Sequence, residues 1–443
     1  TLTLVGGLFT YKSLTGLQLN FNSYGHIATM VYPAGVTVTY TYDSMSRLST
    51  VSNGLGRTLT LTYGANNFLS SVTDGTGRSV GYTIDSNGNL TTVTDPNSKN
   101  WTYEYDIPGR MIKLFKPANP TAPVATNAYD TLGRVKEQRD SDNNLWQYYF
   151  AGSRTEEKNP NGKSTVLYYT NLGKVSKSIN QLGKKVTFSY DGRGRTTKTT
   201  LSEGNGLEIV YNSKNLPITL TTKPKPGSGL TDIVTSATYD TVWNKLKTST
   251  DAMGRVSTQN YDATTGNLLS SITPAVTGVG AAQITLTYNS RGQILTITEP
   301  TGIVTKNTYD STTEKLLTTV RDFGSGRLNL TTSFGYDSVG NTTSIQNPRG
   351  NSIGMVFDAA RRLTQITAPS PYSYLTKFTY DDNGSQIKVE RQTGDVANPW
   401  QTWLSTYCPC GAIWTLTNPL GHTTTFDYDS IHRLWKTTDA AGR

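Results

Sequence analysis

The stretch Val36-Thr-Val38-Thr-Tyr40-Thr-Tyr42-Asp43-Ser-Met-Ser-Arg47-Leu48 holds the unit from which the rest of the chain can be read. Up to Tyr42 it alternates strictly. Val36, Val38, Tyr40 and Tyr42 fall on one face and threonines on the other, the period of two expected of a β-strand. Asp43 then opens a short polar segment, where a carboxylate can accept the backbone N–H groups of the turn it begins. The neighbouring Tyr is expected to lie flat over the adjacent hairpin, a large packing unit with a polar tip. After the turn a second pattern follows, Leu-x-x-Val/Ile, as in Leu69-Ser-Ser-Val72 and Leu269-Ser-Ser-Ile272. A spacing of three fits no straight strand, and the segment is too short and too rich in Ser and Thr for a stable helix. It predicts a strand with a bulge or strong twist. A second turn, Asp/Asn/Glu-x-x-Gly, closes the unit, as in Asp74-Gly-Thr-Gly77 and Asn418-Pro-Leu-Gly421.

The unit recurs along the whole chain. Aligned on the aromatic, nineteen copies begin at Phe21, Tyr42, Tyr63, Ile84, Tyr105, Tyr129, Tyr149, Tyr169, Tyr190, Tyr211, Tyr239, Tyr261, Tyr288, Tyr309, Tyr336, Phe357, Tyr380, Tyr407 and Tyr428. Ten carry the full Tyr-Asp anchor: Tyr42-Asp43, Tyr105-Asp106, Tyr129-Asp130, Tyr190-Asp191, Tyr239-Asp240, Tyr261-Asp262, Tyr309-Asp310, Tyr336-Asp337, Tyr380-Asp381 and Tyr428-Asp429. Asn replaces the Asp at 22, 212 and 289, and Gly64, Phe150, Thr170 and Cys408 depart further, so the Asp is helpful and not obligatory. Half of the eighteen intervals are 21 residues; the others run from 20 to 28. Residues 1–20 read as lead-in strands and a partial repeat, and 21–443 as one continuous segment. Longer loops are expected near 220–232, 273–283, 322–330, 368–376 and 394–402, the first around Lys223-Pro-Lys-Pro-Gly-Ser-Gly229.

Composition agrees with this reading. The 443 residues would suggest about three domains by length alone. Yet only 35% are hydrophobic and 16% charged, against roughly 45–50% and about 25% in globular domains. Thr (73), Gly (41) and Tyr (26) are over-used, which favours pleated strands and turns over thick cores or a coiled coil. Nineteen two-stranded units make about 38 strands, a ribbon of roughly 180 Å that inherent twist must coil into a spiral, tube or closed shell. The net charge of +9 is spread without any Lys/Arg block, so no specific nucleic-acid partner is expected. No apolar stretch is long enough to span a bilayer, and the first residues lack the pattern of a signal peptide. The start without Met and the final Thr438-Asp439-Ala-Ala-Gly442-Arg443, which reads as the next inter-unit turn, suggest a processed product or a piece of something longer.

The Tyr-Asp-x-x-Gly-Arg-Leu unit with its later turn, repeated in register from about Phe21 to Arg443, resembles the RHS/YD-repeat family, which includes bacterial RHS-repeat toxin shells and the teneurins. The resemblance implies an all-β fold: a continuous spiral ribbon of hairpins forming part of a hollow shell or tube. It further implies a non-enzymatic scaffold of a secreted or cell-surface bacterial protein that encapsulates its own C-terminal toxin or effector. The C-terminal core motif and toxin of complete family members fall outside this sequence. The alternative is an extracellular structural or adhesive protein, in which further repeats continue a tube or filament and exposed aromatics bind glycans.

Candidate sites are weighed against their repeat positions. Most Asp residues recur at one place in the unit, which assigns them to turn geometry before catalysis, so no catalytic residue is expected. His26, His422 and His432 are isolated, and no cofactor-binding motif is present. Cys408-Pro-Cys410-Gly411 is the chemical oddity, with three readings: a turn variant, a redox or disulfide pair, and half of a metal site with His422 and His432. The turn variant ranks first. Trp400 with Trp403 and Tyr372 with Tyr374 are candidates for stacking on sugars, although an aromatic in a strand is more often a cross-strand partner.

Overall fold

The computed structural model describes every residue except Thr277 and Val279. Forty strands, β1 (Leu2–Val5) to β40 (Leu434–Thr438), make one sheet, each pairing antiparallel with its neighbours in sequence. The ladder stays open, since β1 and β40 each have one partner. Nineteen anchor-bearing hairpins supply thirty-eight strands. The other two form a hairpin within residues 1–20, where β1 and β2 (Leu8–Lys12) meet through Val5 opposite Leu8.

The Leu-x-x-Val spacing is explained by a bulge. In β5 (Thr37–Tyr42) and β6 (Leu48–Ser52), Tyr42 faces Leu48 while Thr41 faces Thr50 and Tyr40 faces Val51. Ser49 is the extra residue, and it brings Leu48 and Val51, three apart, onto the face shared by Tyr40 and Tyr42. Eighteen of the nineteen hairpins shift register in this way. The exception joins β15 (Leu145–Ala151) to β16 (Arg154–Lys158) by a tight turn with Ala151 opposite Arg154. Bulges raise local twist, so a bulge in nearly every hairpin curls the ribbon steadily.

Strands extend further into all five expected long loops than their bounds imply, in the 273–283 loop at Gln283. Leu220–Lys223, Leu330, Leu375–Thr376 and Trp400–Thr402 are strand residues, leaving connections at 224–232, 322–329, 368–374 and 393–399. Alternating Thr and apolar residues carry the ladder until Pro or Gly interrupts it. In the fifth loop, 273–283, Thr277 and Val279 lie outside the described residues.

Contacts 230 to 292 residues apart in sequence show how the ribbon returns on itself. The Asn244 amide donates to the Leu14 carbonyl (2.8 Å), Arg78 Nε donates to the Ala359 carbonyl (2.8 Å), and Asn97 bonds both Asp358 and the Ala360 N–H (each 3.1 Å). Lys99 pairs with Asp382 at 2.6 Å, and the Ala118 N–H donates to Asn383. In each case an inter-unit turn of the earlier winding meets an anchor turn of the later one, opened by Tyr-Asp or, at 357–358, by Phe-Asp. From the turn between β2 and β3 (Gln18–Phe21) to that between β23 (Ile233–Tyr239) and β24 (Leu246–Thr250) is twenty-one strands. From the turn between β14 (Val135–Asp140) and β15 to that between β39 (Thr423–Tyr428) and β40 is twenty-five. At ~4.8 Å per strand, a winding is about 100–120 Å around and roughly 32–38 Å across.

The wall is one layer thick. No side chain among the described residues is fully buried, and Phe115 and Trp243 are the only hydrophobic residues classed as buried. The accessible surface is 25789 Å², whereas a compact protein of 48.4 kDa would expose about 16,600 Å². The low apolar content therefore reflects two wet faces in place of a filled interior.

Candidate functional site

Geometry repeats at each anchor, and the bulge is its origin. The ladder between β6 and β7 (Thr58–Tyr63) ends at Thr50 opposite Thr60, so the carbonyl of Leu48 extends past the last pair. Tyr63 supplies the missing donor through its hydroxyl. Fourteen tyrosines do the same at 2.5–3.0 Å, each to the residue that faces the preceding anchor. Tyr42 takes Ile27, Tyr105 takes Leu90, Tyr129 takes Met111, Tyr190 takes Val175 and Tyr239 takes Pro217. Tyr261 takes Leu246, Tyr309 takes Ile294, Tyr336 takes Leu316, Tyr380 takes Leu363 and Tyr428 takes Ile413. Burial pushes the Tyr42 and Tyr239 phenols up, which keeps them neutral donors.

The aspartates hold the turns. Asp43 accepts the N–H groups of Met45 and Arg47 at 2.9 Å, and Asp130, Asp191 and Asp429 repeat the pattern. Asp240, Asp262 and Asp310 close turns one residue longer, accepting N–H groups two and three residues on. Asp337 and Asp381 accept from Asn341 and Ser385. Asp106 differs, because Ile107 opposite Arg110 makes a tight Pro-Gly turn, and its carboxylate accepts from the Ile107 N–H and grips Arg110.

The Arg of the motif has a role that the repeat pattern alone did not disclose. Arg47 grips Asp43 through Nε and Nη2, while its guanidinium lies 4.3 Å from the ring centre of Tyr63 in the next unit. Arg195 and Arg362 lie likewise over Tyr211 and Tyr380 at 4.6 and 4.8 Å. Turn, cation and next aromatic thus form a relay along the ribbon. The bond from the Arg47 side chain holds the Asp43 carboxyl below the usual carboxylate range, and the Arg195 side chain does so for Asp191.

Cys408 keeps the backbone of a Tyr-Asp turn, with its N–H on the Ala412 carbonyl and the Gly411 N–H on its own, while its sulfur is joined to Cys410. Beside them, His432 Nε2 lies 2.7 Å from Asp140 Oδ2 and its ring stacks on Trp146, both contacts reaching across the seam between windings. Asp142, Cys410 and His432 have ligand atoms within 4.8 Å of one another. They line a pocket of about 460 Å³ that also includes Cys408 and Asp429. His422, the other histidine of the metal reading, is not among them. His422 closes the turn from Asn418 on the opposite edge of the ribbon, beside Trp403, Asp439 and Arg443. Asp140 and Asp142 take its place, and no local pattern could reveal them, since 292 residues separate Asp140 from His432. His26 rests against Tyr42, at 4.7 Å between ring centres.

Of the aromatic pairs, Tyr372 and Tyr374 stack at 5.6 Å with Tyr372 72% exposed. Trp400 and Trp403 do not form a platform. They lie three apart in a straight register, so they point to opposite faces, under Lys377 and Arg391 respectively.

Two overlapping segments, residues 7–271 and 231–442, match the sequence profile of the Teneurin YD-shell. The chain belongs to that family. No individual curated protein matches it. Among solved structures this YD-shell is similar to the crystal structure of TcdB2-TccC3-Cdc42, with 15% identity, a TM-score of 0.60 and coverage of 97% of this chain and 26% of that one. It is similar also to the Photorhabdus luminescens Tc holotoxin pore, with 15% identity, a TM-score of 0.56 and coverage of 96% and 24%. The YD-shell thus spans about a quarter of the chains it resembles in fold, and by its family its all-β ribbon is a shell scaffold. One side of that wall presents threonine hydroxyl pairs such as Thr41 with Thr50 and Thr406 with Thr415, and the other presents the Tyr and Arg relay.

Proposed function

We propose that this YD-shell is the wall of a capsule that encloses a polypeptide cargo, a C-terminal toxin or effector of the same secreted or surface bacterial protein, and that the wall performs no catalysis. The observation that carries the reading is the single-layered, winding sheet without a packed core. Its aspartates support the non-catalytic part, since they are engaged in turn hydrogen bonds at fixed repeat positions. Electron microscopy of the full-length gene product, together with limited proteolysis, tests it. A central density protected from protease until the wall is opened is the expected result; a solid or rod-like particle without a cavity would refute it.

The exposed Tyr372–Tyr374 stack favours a second reading, an adhesive wall that binds glycans through an aromatic platform. Glycan-array binding lost in Tyr372→Ala would support it, and an array without signal would remove it.

A further inference from the structure

We propose that Cys408 and Cys410, when reduced, join His432 and Asp142 in a four-coordinate zinc site that clamps the later winding onto the earlier one. The donor set is two thiolates, an imidazole and a carboxylate, each a customary zinc ligand. Three of the four already converge: the ligand atoms of Asp142, Cys410 and His432 lie within 4.8 Å of one another. Tetrahedral zinc with bonds of about 2.0–2.3 Å requires donors roughly 3.5 Å apart, so a small closure of exposed turns suffices. Cys408 is bonded to Cys410 and lines the same pocket, which puts the fourth donor beside the third.

The orientation of His432 is the second observation. Its Nε2 is held at 2.7 Å by the Asp140 carboxylate, which fixes the ring and leaves Nδ1 free, 4.0 Å from Asp142 Oδ2. A carboxylate on the far nitrogen of a histidine is the usual support of a zinc-bound imidazole, setting its tautomer and raising its basicity. Stacking on Trp146 restrains the ring further. The two cysteines belong to the turn from 408 to 412, His432 to the turn from 429 to 433, and Asp140 and Asp142 to the turn from 140 to 144 of the earlier winding. A metal held there crosses the seam.

The disulfide is the competing state of the same two sulfurs. With a water-soluble phosphine, phosphorus attacks one sulfur and the S–S bond breaks. Water then supplies the oxygen of the phosphine oxide, and its two protons end on the two thiols. Zinc displaces both protons as it binds, so affinity falls as pH is lowered. None of this depends on whether the wall encloses a cargo.

Phosphine-reduced full-length chain, equilibrated with Zn²⁺ and freed of excess, is expected to retain one zinc per molecule, and the oxidised chain none. Cys410→Ser and His432→Ala abolish retention, Asp140→Asn weakens it by about tenfold, and His422→Ala leaves it unchanged. Co²⁺ in place of zinc gives thiolate-to-metal charge-transfer absorption, absent in Cys410→Ser. Equal zinc retention by the oxidised chain or by Cys410→Ser would overturn the proposal. So would a reduced chain that keeps its β-sheet circular dichroism and binds no zinc, or one that loses that spectrum on reduction, since the site requires a folded seam.

Discussion

The hydroxyl of Tyr63 donates a 2.8 Å hydrogen bond to the carbonyl of Leu48, the residue that faces Tyr42 across the preceding hairpin. At fourteen joints of this kind the bulge frees a carbonyl, and the tyrosine of the next hairpin satisfies it. Neighbouring units are therefore mutually dependent, as in other repeat proteins whose stability is a sum of unit and nearest-neighbour contributions.

Tyr63→Phe removes that donor and leaves the Leu48 carbonyl unpaired at a part-covered site. The expected loss is about 0.5–1.5 kcal/mol, read from thermal or denaturant unfolding. Tyr149→Phe is the control, because its half-exposed hydroxyl makes no hydrogen bond among the described residues, and it is expected to change stability little. Equal effects of the two substitutions would contradict the coupling.

Acid should loosen the wall. The carboxyls of Asp43, Asp130, Asp191 and Asp429 are held below the usual range, the first and third chiefly by the Arg side chain and the others by the backbone N–H of Arg134 and Arg433. A carboxyl depressed in the folded state stabilises fully above its unfolded pKa, about 3.9, and loses that contribution as pH falls through its folded value. The melting temperature should be level near neutrality and fall progressively below about pH 4. Asp191→Asn should lower the neutral plateau and flatten the acid limb; an unchanged acid limb would count against the turn role.

Arg195 holds Asp191 through Nε and Nη2, bonds Asn212 and Asn215 through Nη1, and covers the Tyr211 ring. Lysine keeps the charge but neither the fork nor the planar stack. Arg195→Lys should therefore lower the melting temperature measurably, whereas Arg349→Ala, where only the backbone N–H makes a turn bond, should not. If both behave alike, the relay is ornamental.

At the seam, Trp243 is 8% exposed and packs against Gly16 of the earlier winding and Gly266 of the adjacent turn. A Cβ at Gly16 would collide with the indole, at a backbone φ of +89° that side chains avoid. Gly16→Ala should cost about 1–3 kcal/mol and shift the tryptophan emission to the red. An unshifted spectrum would place the indole elsewhere.

Much of this wall was legible because each unit is built from local rules. Alternation gives the strand, Asp and Gly give the turns, and the Leu-x-x-Val spacing already implied the bulge at Ser49. The partner of the Tyr hydroxyl was harder to see, since it is a backbone carbonyl, and every sequence position has one. The seam was not legible at all. Leu14, Asn97 and Asp140 meet Asn244, Asp358 and His432 through side chains and carbonyls of solvent-facing turns, where no periodicity marks a residue that will find a distant partner. The replacement of His422 by Asp142 near the cysteines follows from the same blindness: winding decides which turns meet, and twist accumulated over some twenty-five strands decides winding.

The offset between facing turns varies from twenty-one to twenty-five strands within a single molecule, and one turn meets partners at two offsets, as His432 does with Asp140 and Ser430 with Asn161. Turn-on-turn packing therefore works like a vernier, tolerating a changing offset where a hydrogen-bonded ladder would demand a fixed one. Gain or loss of one hairpin alters the girth by about 10 Å and leaves each joint of the same kind. For such a protein, duplication and deletion of repeats are a means of adjusting calibre, and the size of the interior is a heritable quantity that can change without inventing a new contact.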